Sequence, residues 1–444
     1  VNSRVLIIGL GKSGFAAAEL AVSKGHETIA IDENFSAALE EKRKKLEIKG
    51  ITVMLSYSEN KLPECDLIVL SPGIRQDSTL GKLLSEIKTK IISEIEFAYT
   101  YCKWPIIAIT GTNGKTTVTE LCTYMLKKAG KQIVAAGNIG YPFSLLVLKD
   151  PQLDCVVLEL SSFQLSHIDT FSPYAAALLN IGSDHIDWHE TKENYIAAKF
   201  KMFHNMKSSS NIILNSNLLP EWNSLYSTTM AQPLTFSTSN SDADYYLKNH
   251  FVYKRSVEIL SVENISMSGW HNVENVIASI ALCEFCGIGL DAMYDLVKDF
   301  KTGAHRLEMV AEKDGIKYIN DSKSTNPDAL IAALRAVGGN RNVCLIAGGL
   351  DKKMDFLSVV AEKNRIKKIF IVGKSQNKLG KVWDTMLNYQ NCNSFEEAMD
   401  LACSHAETGD IVLLSPACAS MDMFSDYMER GNIFKDFINR RLCK

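Results

Sequence analysis

Two glycine-rich turns are placed where the chain could hold phosphates. Gly9, Gly11 and Gly14 space a G-x-G-x-x-G turn after the apolar run RVLIIG at 4–9. Thr110 to Thr117 read TGTNGKTT after WPIIAITG at 104–111. The first pattern suits a phosphate-bearing ligand at a helix N-terminus. Asp32 ends the next apolar run, near the distance at which a carboxylate takes a ribose hydroxyl. Its readings are a dinucleotide site with redox chemistry, another phosphate-bearing ligand, or a tight turn with none. The second pattern departs from G-x-x-x-x-G-K-[ST] only at Ile109, which lies in the strand end and outside the cradle. Small residues supply backbone N–H donors, Lys115 suits the β/γ-phosphates and Thr116 suits Mg²⁺. This turn is expected to bind ATP or GTP.

A reacting triphosphate also needs oxygen ligands for magnesium, often carboxylates at strand ends. Glu159 closes DCVVLEL at 154–160, although such a residue serves equally as a surface or helix-capping group. Asp184, His185, Asp187 and His189 crowd NIGSDHIDWHE at 180–190. Zinc would want two histidines plus a carboxylate or thiolate there. The P-loop favours magnesium instead, with His185 as an auxiliary ligand or phosphate contact. Cys283 and Cys286 form a close pair in an apolar helical run, where redox or zinc chemistry competes with plain buried thiols. Cys418, in SPACAS, has no evident histidine partner for a nucleophile's role.

The elements that must carry these groups alternate. RVLIIG, a helix at 15–25 and TIAID at 28–32 make a βαβ unit, and DLIVLS at 66–71 adds a strand before a Pro-Gly turn. This segment ends near residue 95. A second begins at 104, with a helix at 115–129 and strands at 133–136, 154–160 and 174–181. Between about 210 and 270 short β-like pieces and polar turns suggest a small antiparallel sheet, closed by helices at 272–286 and 290–300. KTGAHR at 301–306 reads as a hinge, and apolar runs at 343–349, 366–373 and 410–415 form a third segment. The expected architecture is α/β in three tandem domains, 1–95, 96–302 and 303–444. The first and third are Rossmann-like and the central one is of P-loop ATPase type.

Bulk properties set limits. The chain has 444 residues, a net charge of −3 and 46% hydrophobic residues. That length exceeds one core, and no basic stretch asks for nucleic acid. No apolar run approaches the ~18 residues of a membrane helix. The first residues enter a strand without the pattern of a signal peptide. Eleven scattered cysteines do not suggest a disulfide framework. A reduced, cytoplasmic chain is expected.

Taken together, TGTNGKTT, GNIG (137–140), ELSSFQL (159–165), NIGSDH, HNVEN (271–275), HR (305–306) and DSKSTN (321–326) resemble the Mur ligases. These enzymes extend the peptide stem of bacterial cell-wall precursors. The resemblance covers essentially the whole chain, and GGLDKKMDF (348–356) and LLSPACASMD (413–422) are similar to the members that add D-glutamate. It implies that the first domain holds the uridine diphosphate of a sugar nucleotide, with no redox chemistry, and the second holds ATP. A carboxylate is phosphorylated to an acyl phosphate, which an amino acid's amine attacks. The implied substrates are UDP-N-acetylmuramoyl-L-alanine, D-glutamate and ATP, with two Mg²⁺. Neither nucleic acid nor membrane is a partner, and a monomer is expected.

The resemblance also carries roles. Gly111, Thr112, Asn113, Gly114, Lys115, Thr116 and Thr117 match the ATP-phosphate loop. Thr116 and Glu159 match ligands of one magnesium and His185 of the second. Lys199 falls where several members carry a carbamylated lysine, although the residue alone reads as a solvated helix lysine. Asn272 and Asn275 match adenine- and ATP-proximal asparagines, Asn272 suiting a helix N-cap as well. Arg306 and Asp321 match γ-phosphate and ribose contacts, a cation reaching the phosphoryl group as domains close. Lys12, Ser13, Asp32, Glu33, Ser71 and Gly73 match positions around uracil and diphosphate. Asn138, Ser161 and Gln164 match the muramoyl and alanyl end. Lys352, Thr325, Ser420 and Tyr427 match the D-glutamate cluster, where a dicarboxylate needs cationic and hydroxyl donors. Three departures stand near these contacts: Lys353 for glycine, Ser324 for alanine and Glu33 for a small polar residue. A different amino-acid acceptor is the near alternative, although the absence of D-N-P-R argues against the diaminopimelate- or lysine-adding member. A P-loop NTPase switch is the distant one.

Overall fold

The computed structural model describes residues 3–182, 184–207, 211–226, 232–267 and 269–443. The chain divides into two compact units, one of residues 1–180, 193–260 and 276–297, the other of 181–192, 261–275 and 298–444.

The first unit holds two sheets. β1 (Arg4–Ile8), β2 (Glu27–Ile31), β3 (Thr52–Met54), β4 (Leu67–Leu70) and β5 (Lys90–Ser93) run parallel in the order β3-β2-β1-β4-β5. Such strands are covered on both faces and so read as unbroken apolar runs. The strand order reverses between β1 and β4, where a crevice opens at the C-terminal strand ends. The first glycine turn and Ser71 sit at those ends.

The second sheet comprises β6 (Ile106–Thr110), β7 (Ile133–Gly137), β8 (Cys155–Glu159), β9 (Ala175–Leu178), β10 (Asn211–Asn215), β11 (Leu234–Ser237), β12 (Tyr245–Lys248), β13 (Phe251–Lys254) and β14 (Val257–Ser261). Their order is β14-β13-β12-β11-β10-β9-β6-β8-β7. The small antiparallel sheet expected as an addition between 210 and 270 is a continuation of this one. β10 and β11 continue its parallel run, and antiparallel pairing sets in at β12–β13. Ile213 and Leu214 are fully buried in β10, as befits a strand inside the sheet rather than an appended edge. β6 lies between β8 and β9, so the P-loop, Glu159 and the end of β9 are neighbours by topology.

The second unit is built on β15 (Glu308–Lys313), β16 (Ile316–Asn320), β17 (Val343–Gly348), β18 (Ile366–Val372), β19 (Tyr389–Asn391) and β20 (Ile411–Leu414), ordered β15-β16-β20-β17-β18-β19. Leu330, Ala333 and Leu334 of helix Pro327–Val337 pack on one face, and Ala398, Met399 and Phe434 of helices Phe395–His405 and Tyr427–Leu442 on the other. DSKSTN, SPACAS and GGLDKK leave the C-terminal ends of the adjacent strands β16, β20 and β17. The topology thus gathers three motifs that are distant in sequence.

Candidate active site

The first glycine turn is tight by construction. A Cβ on Gly14 would lie 1.8 Å from the Gly9 carbonyl oxygen, so only glycine lets the helix Lys12–Ser23 start so close to β1. Asp32 braces the turn itself. One of its oxygens accepts from Leu10 N (2.8 Å), the other from Asn34 N (2.9 Å), and the residue is buried. Lys12 and Gly73 are exposed, Ser13 and Glu33 half-buried, and Ser71 buried with its Oγ facing Gly11. Glu33 accepts from Leu80 N at 3.4 Å.

At the second turn Gly114 adopts φ +84°, and the helix Lys115–Lys128 begins with no side-chain cap and no acid in its first turn. Lys127 and Lys128 occupy the last turn, opposite in charge to the helix C-terminus. Val118, Leu121, Cys122, Met125 and Leu126 anchor its buried face. The N–H groups of a helix's first turn suit an anion. Lys115 Nζ donates to the carbonyls of Gly111 (2.9 Å) and Thr112 (2.8 Å). Thr116 and Thr117 are buried. Asn180, at the end of β9, pins the loop: its Oδ1 accepts from Asn113 N (2.8 Å), its Nδ2 donates to Asn113 O (3.1 Å), and its carbonyl accepts from Thr112 N (3.0 Å). Tyr195 Oη meets Thr112 Oγ1 at 2.9 Å. Sequence reasoning gave neither Asn180 nor Tyr195 a role, although Asn180 opens the quoted NIGSDH motif.

Glu159 is 1% exposed. Its Oε1 accepts from Asn138 Nδ2 at 2.7 Å, while its Oε2 is buried without a hydrogen-bond partner among the described residues. Gly137 makes this possible. At φ +97°, with the Glu159 carbonyl 2.4 Å from where a Cβ would sit, it turns the chain so that Asn138 N also reaches Glu159 O. An unpartnered buried carboxylate oxygen at the end of β8, the strand next to the one that leads into the P-loop, is a donor that fits a divalent cation. Lys199, in helix Lys192–Phe200, is also 1% exposed, so the solvated-lysine reading is overturned. Its Nζ donates to Gly111 O at 2.7 Å and lies 4.7 Å from the Tyr195 ring centroid. Ser161 and Gln164 form a capping box on helix Ser162–Ser166: Ser161 N and Oγ donate to Gln164 Oε1, and Gln164 N donates to Ser161 Oγ.

In the second unit Lys352 Nζ lies 3.6 Å from Asp184 Oδ1, and Asn326 Nδ2 donates to Asp184 Oδ2 at 3.4 Å. His185 Nε2 lies 3.6 Å from the same carboxylate. A short bridge, Leu350 N to Ala419 O (2.8 Å) and Ala419 N to Leu350 O (3.1 Å), fastens GGLDKK to SPACAS and so brings Lys352 and Ser420 onto neighbouring loops. Ser420 is buried, while Thr325 and Tyr427 are half-buried. Tyr427 opens the last helix, with Lys323 Nζ 5.2 Å from its ring centroid. The Cys418 thiol is buried and pushed up to about 12, which leaves it inert as a nucleophile. Arg430, also without a role from sequence, is buried and donates to the carbonyls of Ser322 (2.7 Å) and Cys418 (3.1 Å), tying two loops together.

Asp321 accepts from Ser415 Oγ (2.9 Å) and Leu307 N (3.2 Å), and burial pushes its carboxyl up to about 7. Arg306 lies between two residues of positive φ, His305 (68°) and Leu307 (44°). Asn272 is not a helix cap. It lies inside helix Trp270–Phe285, and its Oδ1 accepts from Asn275 Nδ2 at 3.1 Å. Cys283 is buried in that helix and Cys286 lies just past its end. The Asp187 side chain and Ser183 lie outside the described residues. Among the described residues, which leave out the Asp187 side chain, no group of three or more His, Cys, Asp or Glu is arranged to hold a metal ion.

Family models match along the chain: a MurD-like N-terminal domain at residues 3–93, the Mur ligase middle domain at 109–283 and the Mur ligase glutamate ligase domain at 305–418. The chain belongs to the Mur ligase family. This Mur ligase is 39% identical to the UDP-N-acetylmuramoylalanine–D-glutamate ligase of Caldanaerobacter subterraneus subsp. tengcongensis, over 98% of this chain and 97% of the relative. It is 37% identical to the enzyme of that name from Streptococcus thermophilus, over 99% and 98%. Among solved structures, MurF of Thermotoga maritima in complex with ADP matches with a TM-score of 0.62 at 17% identity, covering 98% of this chain and 95% of that one. UDP-N-acetylmuramate–alanine ligase of the same organism matches at 0.60 and 18%, covering 99% of each. At those identities the structural likeness speaks for the fold.

Proposed function

We propose that this Mur ligase adds D-glutamate to UDP-N-acetylmuramoyl-L-alanine at the expense of ATP, through an acyl phosphate. One observation carries the reading: the chain is 39% identical, over 98% of its length, to a D-glutamate ligase. The two phosphate-type turns and the lysine-bearing loop cluster described above are consistent with it.

ATP phosphates take the N-terminus of helix Lys115–Lys128, with Lys115 leaving its loop carbonyls for the β/γ-phosphates. Thr116 and Glu159 would hold a magnesium ion and His185 a second, offsetting charge on the phosphates when bound. Arg306 takes charge on the γ-phosphate, and Asp321, Asn272 and Asn275 serve the nucleoside. Lys12, Ser13, Asp32, Glu33, Ser71 and Gly73 serve the uridine diphosphate, with Asn138, Ser161 and Gln164 toward the muramoyl-alanyl end. The L-alanyl carboxylate attacks the γ-phosphorus, ADP leaves, and the amine of D-glutamate displaces phosphate. Lys352, Thr325, Ser420 and Tyr427 orient the D-glutamate side-chain carboxylate. Lys199, with its Nζ buried beside the P-loop at Gly111 O, is the candidate for carbamylation. The reading carries with it a monomer acting in the cytoplasm on small molecules, within three domains at 1–95, 96–302 and 303–444. No helix among the described residues is long and apolar enough to cross a membrane.

The test is phosphate release from MgATP with each substrate omitted in turn. Release should require both UDP-N-acetylmuramoyl-L-alanine and D-glutamate, and the product should gain one glutamyl unit by mass. Release with another amino acid alone would overturn the acceptor assignment. Turnover without either substrate would favour an NTPase switch.

A further inference from the structure

The two peptides that flank Leu10 are each held by a side chain. Asp32 Oδ2 accepts from Leu10 N at 2.8 Å. Lys42, on helix Ala37–Glu47, donates from Nζ to Leu10 O at 2.7 Å. Gly9 N is tied to Ile31 O at 2.9 Å, so the approach to the turn is fixed as well. The next residue, Gly11, caps the helix Lys12–Ser23 without any side-chain hydrogen bond. Among the described residues the Lys42 bond sets the direction of the Leu10 carbonyl.

That direction matters for an anion. A helix N-terminus attracts phosphate only if its N–H groups face the ligand and no carbonyl does. A Leu10 carbonyl turned toward the phosphates would set a negative dipole against them. The Lys42 ammonium draws that carbonyl to the side of the helix Ala37–Glu47. It also adds positive charge close to Lys12, with which it interacts repulsively, and to Asp32, with which it interacts favourably. Partial burial holds the Lys42 ammonium below its ordinary range.

We propose that Lys42 is a positioning residue for the nucleoside diphosphate, locking the Leu10–Gly11 peptide so that the first glycine turn presents donors to the phosphates. This rests on the reading of that turn as the uridine diphosphate site.

The experiment compares Lys42→Met, which keeps the aliphatic stem, with Lys42→Arg, which keeps the charge. Binding of UDP and KM for UDP-N-acetylmuramoyl-L-alanine are read beside KM for ATP and D-glutamate and kcat. With one partly exposed charge-assisted bond removed, Lys42→Met should weaken UDP and raise the sugar-nucleotide KM roughly tenfold. kcat and the other two KM values should stay within twofold of wild type, and Lys42→Arg should restore most of the loss. Unchanged UDP binding in Lys42→Met, or equal losses for all three substrates, overturns the inference and leaves the site reading intact. Failure of wild-type protein to bind UDP overturns both.

Discussion

Glu159→Gln is the substitution that separates a metal ligand from a packing residue. The wild-type carboxylate is buried, with one oxygen bonded to Asn138 and the other unpartnered among the described residues. Without metal, a buried charge with half its acceptors unused is a net cost to the fold. Glutamine keeps an acceptor for Asn138 and replaces the unpartnered anionic oxygen by a neutral group. Metal-free Glu159→Gln should therefore be more stable than wild type by roughly 1–3 kcal/mol. A kcal/mol moves Tm by on the order of 2–4 °C in domains of this size. The metal response should change in the opposite sense. A ligand at a hundred times its Kd stabilises by about 2.7 kcal/mol, and the part of that due to magnesium should vanish in the variant. Thermal melts with ADP, with and without MgCl₂, read both effects. A variant that is less stable than wild type without metal, or that keeps the wild-type magnesium shift, would refute the reasoning.

Ser324→Ala should stabilise the second unit by about 1 kcal/mol, because the Ser324 hydroxyl is buried without a hydrogen-bond partner among the described residues; a lower urea midpoint would contradict this. Lys353 adopts φ +61°, so Lys353→Gly should raise stability by about 1 kcal/mol by relieving left-handed backbone strain. An unchanged or lower Tm counts against it. Glu94 is buried, accepts from Ser144 N, and burial pushes its carboxyl up to about 7. With the folded value raised above the unfolded one, its contribution is fully present below pH ~4.5 and is lost as pH rises through 7. Glu94→Gln cannot ionise, so its advantage over wild type should grow between those pH values to about 3 kcal/mol at pH 8. A stability difference that is flat from pH 4 to 8 excludes this.

The strands were legible because parallel strands covered on both faces must be apolar along their whole length, as in RVLIIG and DCVVLEL. The 210–270 region was harder. Short strands with polar turns look alike whether they form a new sheet or extend an old one, and only the pairing of β10 with β9 decides. The P-loop and Glu159 follow from local pattern, since each lies at the end of a strand. Burial of Lys199 does not, because it depends on how helix Lys192–Phe200 docks against the loop at Gly111. The same limit hid Asn180 and Arg430, whose partners are distant in sequence. Ser161 and Gln164 form a capping box that the pattern S-x-x-Q before a helix makes readable. At Asp32 and Asp321 the carboxylates are engaged within the fold, which no spacing in the sequence reveals.

The central claim is amide formation through an acyl phosphate. It is tested most directly with UDP-N-acetylmuramoyl-L-alanine carrying ¹⁸O in the alanyl carboxylate. Attack of that carboxylate on ATP, followed by displacement by D-glutamate, leaves one carboxylate oxygen on the released phosphate. The account therefore requires one labelled oxygen in phosphate for each amide formed, at full carboxylate labelling. Unlabelled phosphate released alongside the D-glutamyl product would contradict it.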